Sequence, residues 1–243
     1  MHSSKPLIYL ASASPRRSAL LHQIGVAHAV HPVAVDEAQL GGEAPRAYVM
    51  RLAQLKAQTL WERVRGAQRC AVLGSDTAVA IDGEILGKPR DEADCRRILQ
   101  HLSGRTHEVL TAVALCHAGG QDCALSVSEV TFRALETREI AAYWRSGEPA
   151  DKAGAYAVQG LAAAFIVRIA GSYSGIMGLP LYETAGLLGR VGWRFADAAV
   201  LAANVAANVA PTVQLAGAGD VVSPEADPTT GVSGRGCTGE VSR

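Results

Sequence analysis

Two tight turns decide which folds are open to this chain. Asp82-Gly83 sits between TAVAI and EIL. Gly119-Gly120 sits between an alternating run, His107 to Cys116, and a returning run over residues 122–133. Asp-Gly supplies the positive φ angles of a two-residue hairpin. Both sites therefore join antiparallel strands. Helical patterns intervene elsewhere, at irregular intervals. A regular parallel α/β fold has no hairpins, because parallel strands need long crossovers. The expected class is α/β, with a mixed sheet flanked by helices.

The remaining elements fit that frame. Pro6 to Ala11 reads as a short buried strand, and a helix begins near Pro15 with Leu20, Leu21 and Ile24 as its stripe. His28 to Val35 reads as a second strand. Pro45 opens a helix over 45–64, with Tyr48, Leu52, Leu55 and Leu60 near one face. Cys70 to Gly74 reads as a strand that stops before Asp76. Asp91 caps a helix ending at Ser103-Gly104, and Thr137 caps another running to Ser146. Leu161 to Ile169 and Ser174 to Met177 read as strands, and Pro180 opens the last helix. From about residue 203 the chain turns rich in Ala, Gly, Ser, Thr and Pro, with no aromatic residue. The expected organisation is one domain over 1–202 and a disordered extension over 203–243.

Composition narrows the function. The chain has 243 residues, 49% of them apolar, enough for a real core. Lys+Arg and Asp+Glu are 23 each, so no net charge draws it to nucleic acid or to an anionic membrane. No apolar run approaches the ~20 residues of a membrane span, and the N-terminal apolar segment precedes its arginines, the reverse of a signal peptide. A cytoplasmic location is expected. The five cysteines show no CxxC spacing and the histidines no HxxxH or HxH pair, so neither a disulfide framework nor a zinc site is indicated. No GxxxxGK[ST] or GxSxG occurs.

Four polar clusters interrupt apolar segments where strands end or helices begin, as ligand sites in α/β proteins do. Ser12 to Arg17 runs into a helix N-terminus, whose free N–H groups and paired arginines suit an anion; it also reads as a solvated helix start. Gly74-Ser75-Asp76-Thr77 offers a carboxylate that could activate water or hold a metal, or simply hydrogen-bond its turn. Gly87-Lys88-Pro89 holds a lysine on a stiff loop. Residues 151–160, DKAGAYAVQG, end in Gln159, whose amide carries donor and acceptor together, as reading a base edge requires. Glu37 and Lys56, taken alone, read as solvated charges.

Together these segments resemble the Maf family of nucleotide pyrophosphatases. LASASPRRSALL looks like the family's N-terminal signature, GSDTAVAIDGEILGKPRDEADCRRILQHLSGRTHEVLTAV like its central block, and DKAGAYAVQGLAAAFIVRIAGSYSGIMGLPLYET like its C-terminal block. The match covers about residues 6–190. The resemblance implies a mixed α/β fold of two lobes around a cleft, related to inosine triphosphate pyrophosphatases. It implies hydrolysis of a nucleoside triphosphate between its α- and β-phosphates with Mg²⁺ or Mn²⁺. Asp76 falls at the family's proton acceptor. Glu37, Lys56 and Lys88 fall at polar cleft positions, Ser14 and Arg17 in the phosphate-binding loop, and Arg16, Thr77 and Gln159 where branches sort substrates. DKAGAY followed by Val-Gln-Gly is similar to the dTTP/UTP branch rather than the 7-methyl-GTP branch. Departures are small: Ser75, Ala157, Val158 and the run Ala162 to Ala164 replace other small or apolar residues, and no charged cleft residue is lost.

The chemistry is consistent with that family. Phosphoanhydride hydrolysis needs charge neutralised on oxygens, a placed water and a base. Ser14, Arg17, Lys56 and Lys88 can supply the first, and Glu37 and Asp76 the metal site and the base, in an order left open. Gln159 and Arg16 can meet the edge of a uracil or thymine. Two rivals stand beside this reading. One is 7-methyl-GTP specificity. The other is a non-catalytic nucleotide-binding regulator of cell division, which would not need Asp76. The expected partner is the nucleotide, with a homodimer left open.

Overall fold

The computed structural model describes residues 6–66 and 69–197. Its elements run β1 (Leu7–Leu10), α1 (Pro15–Gln23), β2 (His28–Val30), α2 (Pro45–Val64), β3 (Cys70–Ile81), β4 (Glu84–Leu86), α3 (Glu92–Leu102), β5 (Thr106–His117), β6 (Gly120–Phe132), α4 (Thr137–Arg145), β7 (Ile166–Ala170), α5 (Tyr173–Met177) and α6 (Leu181–Arg190). Short 3₁₀ turns occupy Glu148–Asp151, Ala153–Ala155 and Leu161–Phe165. The seven strands form one sheet in the order β2-β1-β3-β5-β6-β7, with β4 paired to β3. β1 runs parallel to β2 and β3, and every other pairing is antiparallel. The sheet is mixed, as the two hairpins required.

β3 is the axis of the sheet. It is buried on both faces, so it reads as a nearly continuous apolar run. Side chains alternate across it. Val72, Ala78 and Ala80 meet Val49, Ala53, Ala57 and Leu60 of α2. On the opposite face, Ala71 and Leu73 join one apolar cluster with α1 and α6, while Val79 and Ile81 join a second with α3 and α4. Gly74 lets α2 approach this closely. A Cβ there would lie 2.3 Å from the Ala53 carbonyl oxygen and 2.6 Å from the Ala57 nitrogen.

Several elements differ from the sequence reading. The strand expected to stop at Gly74 continues to Ile81, because Ala78 to Ile81 is itself buried and β-forming, and residues through Ala80 pair with β5 while Val79 to Ile81 pair with β4. Asp76 is thus in mid-strand rather than after the strand's end. β2 is only His28–Val30. Ser174 to Met177 is helical, not extended. The Ser172 side chain accepts from the Gly175 N–H at its start, and Gly178 takes φ 115° at its end. Leu161 to Phe165 is a 3₁₀ turn before β7, and α4 is capped by Glu136 rather than Thr137, in a reciprocal pair with Glu139. Leu55 faces outward, and the buried stripe of α2 is Val49, Leu52, Ala53, Lys56, Ala57 and Leu60. The four described cysteines form no disulfide with one another. Among the described residues no helix is long and apolar enough to cross a membrane. The extension expected over 203–243, and Cys237 within it, lie outside the described residues.

Candidate active site

A notch in the sheet sets the position of the site. On one edge of β3, β1 pairs with Cys70 to Leu73 and β4 pairs with Val79 to Ile81. Gly74 to Ala78 have no strand on that edge. A cleft of about 660 Å³ opens there, within the range of small-ligand sites. Ser14, Arg16, Arg17, Glu37, Lys56, Asp76, Thr77, Lys88 and Gln159 all line it. Nine residues spread over 146 positions of sequence thus meet in one cavity.

Strand alternation divides their surroundings. Asp76 points to the α2 face, where the Lys56 ammonium donates to its Oδ1 at 2.7 Å. The same ammonium lies 2.6 Å from Glu37 Oε1. Lys56 and Asp76 are both buried, whereas the Glu37 side chain is 53% exposed. The two carboxyls are pushed in opposite directions. Burial raises the Asp76 carboxyl above its ordinary value and Glu37 adds to the rise, outweighing Lys56 and Arg17. Burial acts on Glu37 too, but the Lys56 hydrogen bond and charge, with Lys88 and Arg17 behind, hold it below its ordinary value.

Thr77, the next residue, points to the other face and meets Arg17. The guanidinium donates from Nε to the Gly178 carbonyl at 2.8 Å, from Nη1 to Ser12 Oγ at 3.0 Å and from Nη2 to Thr77 Oγ1 at 3.3 Å. Thr111 Oγ1 lies 3.0 Å from Thr77 Oγ1 and 2.7 Å from the Gly175 carbonyl. A carbonyl only accepts, so the single Thr111 proton goes to Gly175 and Thr77 donates to Thr111. Thr77 is then left as an acceptor for Arg17. Burial pulls the Arg17 guanidinium down and Asp76 opposes it, yet a guanidinium stays charged at any ordinary pH.

The anion-facing side is α1. Ser14 stands at its N-cap with no side-chain capping bond, and Pro15 opens the helix. The Ser14 hydroxyl is therefore not consumed by the helix, and the first turn, whose N–H groups a helix start leaves without intrahelical partners, carries the cleft-lining Ser14, Arg16 and Arg17. Lys88 is exposed on the loop after β4. Gln159 is exposed too, and its side chain makes no hydrogen bond among the described residues.

Four further cleft or support residues have no role assigned from sequence, although Ser12 and Lys152 stand in two of its polar clusters. Ser12 accepts from Arg17, Thr111 completes the chain above, Tyr48 donates to the Glu37 carbonyl at 3.0 Å, and Lys152 lines the cleft beside Asp151 with its side chain 14% exposed. Thr111 had a signal: a hydroxyl in an otherwise apolar alternation. Lys152 had one in its charged pair with Asp151. Ser12 had one in the Ser12 to Arg17 cluster, and Tyr48 none beyond its place on the helical stripe.

Among the described residues no three His, Cys, Asp or Glu side chains gather as a metal site. Glu37 and Asp76 do converge on one point, now held by the Lys56 ammonium. Two carboxylates are the usual protein share for Mg²⁺ at a nucleotide site, with phosphate oxygens and water supplying the rest. The donor set fits a hard divalent cation.

Comparison with known proteins agrees with the geometry. A solved structure, a nucleoside-triphosphatase / dITP/XTP pyrophosphatase from Mycobacterium abscessus, covers 51% of the chain and 73% of its own at 17% identity and a TM-score of 0.37, a likeness too loose to add to what the sheet order shows. Sequence relatives are far nearer. A dTTP/UTP pyrophosphatase of Bordetella parapertussis is 53% identical over 193 residues, which is 77% of this chain and 93% of that one. One from Albidiferax ferrireducens is 53% identical over 195 residues, 77% and 98%, and one from Methylobacillus flagellatus is 51% identical over 185, 76% and 92%. The model of the Maf-like protein family matches residues 7–191. That span takes in both rims of the notch and the nine polar residues named above, and the chain belongs to the Maf family.

Proposed function

We propose that the protein hydrolyses dTTP and UTP to the monophosphate and pyrophosphate. The relatives carrying that name are about half identical to this chain over nearly their whole length. The single observation that carries the chemistry is the convergence of a buried carboxyl, Asp76, and an exposed one, Glu37, on one Lys56 ammonium at 2.7 and 2.6 Å in the cleft, with burial raising the first and Lys56 lowering the second. A base works best when its pKa approaches the working pH, and a cation ligand when it stays ionised. The geometry therefore supports Asp76 as base and Glu37 as the main metal ligand, with Asp76 close enough to share the ion.

The triphosphate lies against α1, Arg17, Lys56 and Lys88. Asp76 takes a proton from a water that attacks the α-phosphorus. The bond from that phosphorus to the bridging oxygen breaks, and pyrophosphate leaves. A divalent cation, Mg²⁺ or Mn²⁺, held by Glu37 and Asp76 neutralises charge on the phosphate oxygens when bound. Arg17 is fixed by three acceptors, so it keeps its position as charge develops. Gln159 and Arg16 line the same cleft and meet the base. Its amide can donate to a pyrimidine carbonyl and accept from N3–H.

A nucleotide panel with Mg²⁺ or Mn²⁺, with products separated by chromatography, tests this. UTP and dTTP should give UMP and dTMP with one pyrophosphate each. Release of orthophosphate, no turnover of any triphosphate, or no preference for pyrimidines would remove the proposal.

A further inference from the structure

Gln159 is the residue proposed to read the base, yet among the described residues none hydrogen-bonds its side chain. Its aim must come from its backbone. Ala157 to Gly160 form a tight turn closed by the Gly160 N–H donating to the Ala157 carbonyl at 3.1 Å, with Gln159 third of the four residues. Both ends of that turn are fastened to one pair of side chains beneath it. The Ala157 N–H donates to the Tyr143 hydroxyl at 3.3 Å, and that hydroxyl donates to Glu148 Oε1 at 2.7 Å. The Glu148 carboxylate also receives the N–H of Leu161 on Oε2 at 2.9 Å and of Ala162 on Oε1 at 3.4 Å.

The fit is close. A Cβ on Gly160 would fall 2.3 Å from Glu148 Oε2 and 2.4 Å from Oε1, so the carboxylate sits where any side chain at 160 would be. Tyr143 is buried on the far side, its ring 5.3 Å from the Phe165 ring in an edge contact. The clamp thus ties the turn both to α4 and to the apolar cluster under β5. Neither Tyr143 nor Glu148 lines the cleft.

We propose that Tyr143 and Glu148 are positioning residues for base recognition: they hold the Ala157–Gly160 turn so that the Gln159 amide meets the pyrimidine. This rests on the dTTP/UTP reading and on Gln159 as its reader. Free-energy loss would appear in selectivity, since the phosphates, Asp76 and Lys56 are held by other elements. Catalysis on a nucleotide that gains nothing from Gln159 should barely change.

The test uses the full chain with Mg²⁺ and measures kcat and KM for UTP and GTP in the wild type, Tyr143→Phe, Glu148→Gln, Gln159→Ala and the double variant Tyr143→Phe/Gln159→Ala. Tyr143→Phe keeps the ring and removes only the hydroxyl. The expected result is a fall of ~10-fold in kcat/KM for UTP, mostly through KM, with GTP changed less than ~2-fold, as for loss of one or two buried hydrogen bonds. The UTP-to-GTP ratio of the double variant should match that of Gln159→Ala alone, because a positioning residue has nothing left to position. Equal losses on both nucleotides, or additive losses in the double variant, would overturn the clamp while leaving Gln159 as reader. A Gln159→Ala enzyme with the wild-type ratio would remove the reader, and the clamp with it. If Glu148→Gln does not fold, Tyr143→Phe with its double variant carries the same comparison.

Discussion

The Lys56 ammonium donates to Asp76 across 2.7 Å inside the α2–β3 interface and reaches Glu37 at 2.6 Å with the same nitrogen. One cation therefore governs two carboxyls that burial treats differently. Asp76 is raised above its ordinary value despite Lys56. In its proposed role as base Asp76 must be ionised, so activity is expected to be lost as pH falls through that raised value. Removing Lys56 removes two influences that lower it. In Lys56→Met the acid limb of kcat/KM for UTP should move to higher pH, beyond any drop in rate. A limb that stays in place or moves to lower pH would show that Asp76 does not set it.

Asp76→Asn keeps the shape of the side chain and loses the carboxylate proposed as the base. Turnover should fall by ~10²-fold or more, in line with general-base catalysis. Near-normal turnover by the pure variant would assign the proton transfer elsewhere.

Gln159→Glu is nearly isosteric. A carboxylate only accepts, so it faces the pyrimidine carbonyl with like partial charge and suits the two adjacent donors of guanine. The expected outcome is a ~10- to 100-fold fall in kcat/KM for UTP with a smaller loss, or a gain, for 7-methyl-GTP. Equal falls on both would mean that Gln159 holds phosphate or loop.

Gly74→Ala tests the packing beneath the site. The added methyl would meet Ala53 and Ala57 backbone atoms, which no rotamer change can clear. Helix α2 must shift, at a cost of ~3 kcal/mol. For a chain of this size that is a fall in Tm of ~6–12 °C. Lys56 would move with the helix, so activity should fall as well. A Tm within ~2 °C of wild type would mean that α2 yields without strain.

His107 is buried and its imidazole is pulled down to about 4 by burial. It is neutral in the fold and takes a proton on unfolding near pH 6.5. Its contribution is therefore full above pH 6.5 and lost as pH falls toward 4. The loss amounts to about 3 kcal/mol at the lower end. Urea midpoints at pH 7 and pH 4.5 should differ strongly in the wild type and clearly less in His107→Gln. Parallel losses would place the acid sensitivity elsewhere.

The sequence exposed the fold where chemistry is local. Asp82-Gly83 turns one hairpin and Ala118-Gly119 the other, one residue ahead of the expected Gly119-Gly120, and Pro15, Pro45 and Asp91 open helices, because turn and cap preferences act over a few residues. It misled where tertiary contacts decide. SGIM is helical through its Ser172 cap and Gly178 stop. Lys56 looked solvated because its burial depends on Asp76 and Glu37, 20 and 19 positions away. The family resemblance named the nine site residues that meet in the cleft, although Glu37 and Lys56 lie outside its three motif blocks. Thr111, Tyr143 and Glu148 stayed hidden because their partners, at Thr77, Ala157 and Leu161, are set by strand register and loop path.

The gap in the edge of β3 has a consequence for the chain in solution. Residues 69 and 73 turn their carbonyls toward β1, so by alternation the amides of Ser75 and Thr77 aim into the gap. Unprotected strand edges invite a second molecule to add a strand. Here the opening is five residues long and bounded by β1 and β4, too short and recessed for an intruding chain to dock along it. The protein can keep polar backbone free in the middle of its sheet without becoming sticky. Those two amides should exchange with deuterated solvent ahead of their β3 neighbours, and slow when a ligand fills the space.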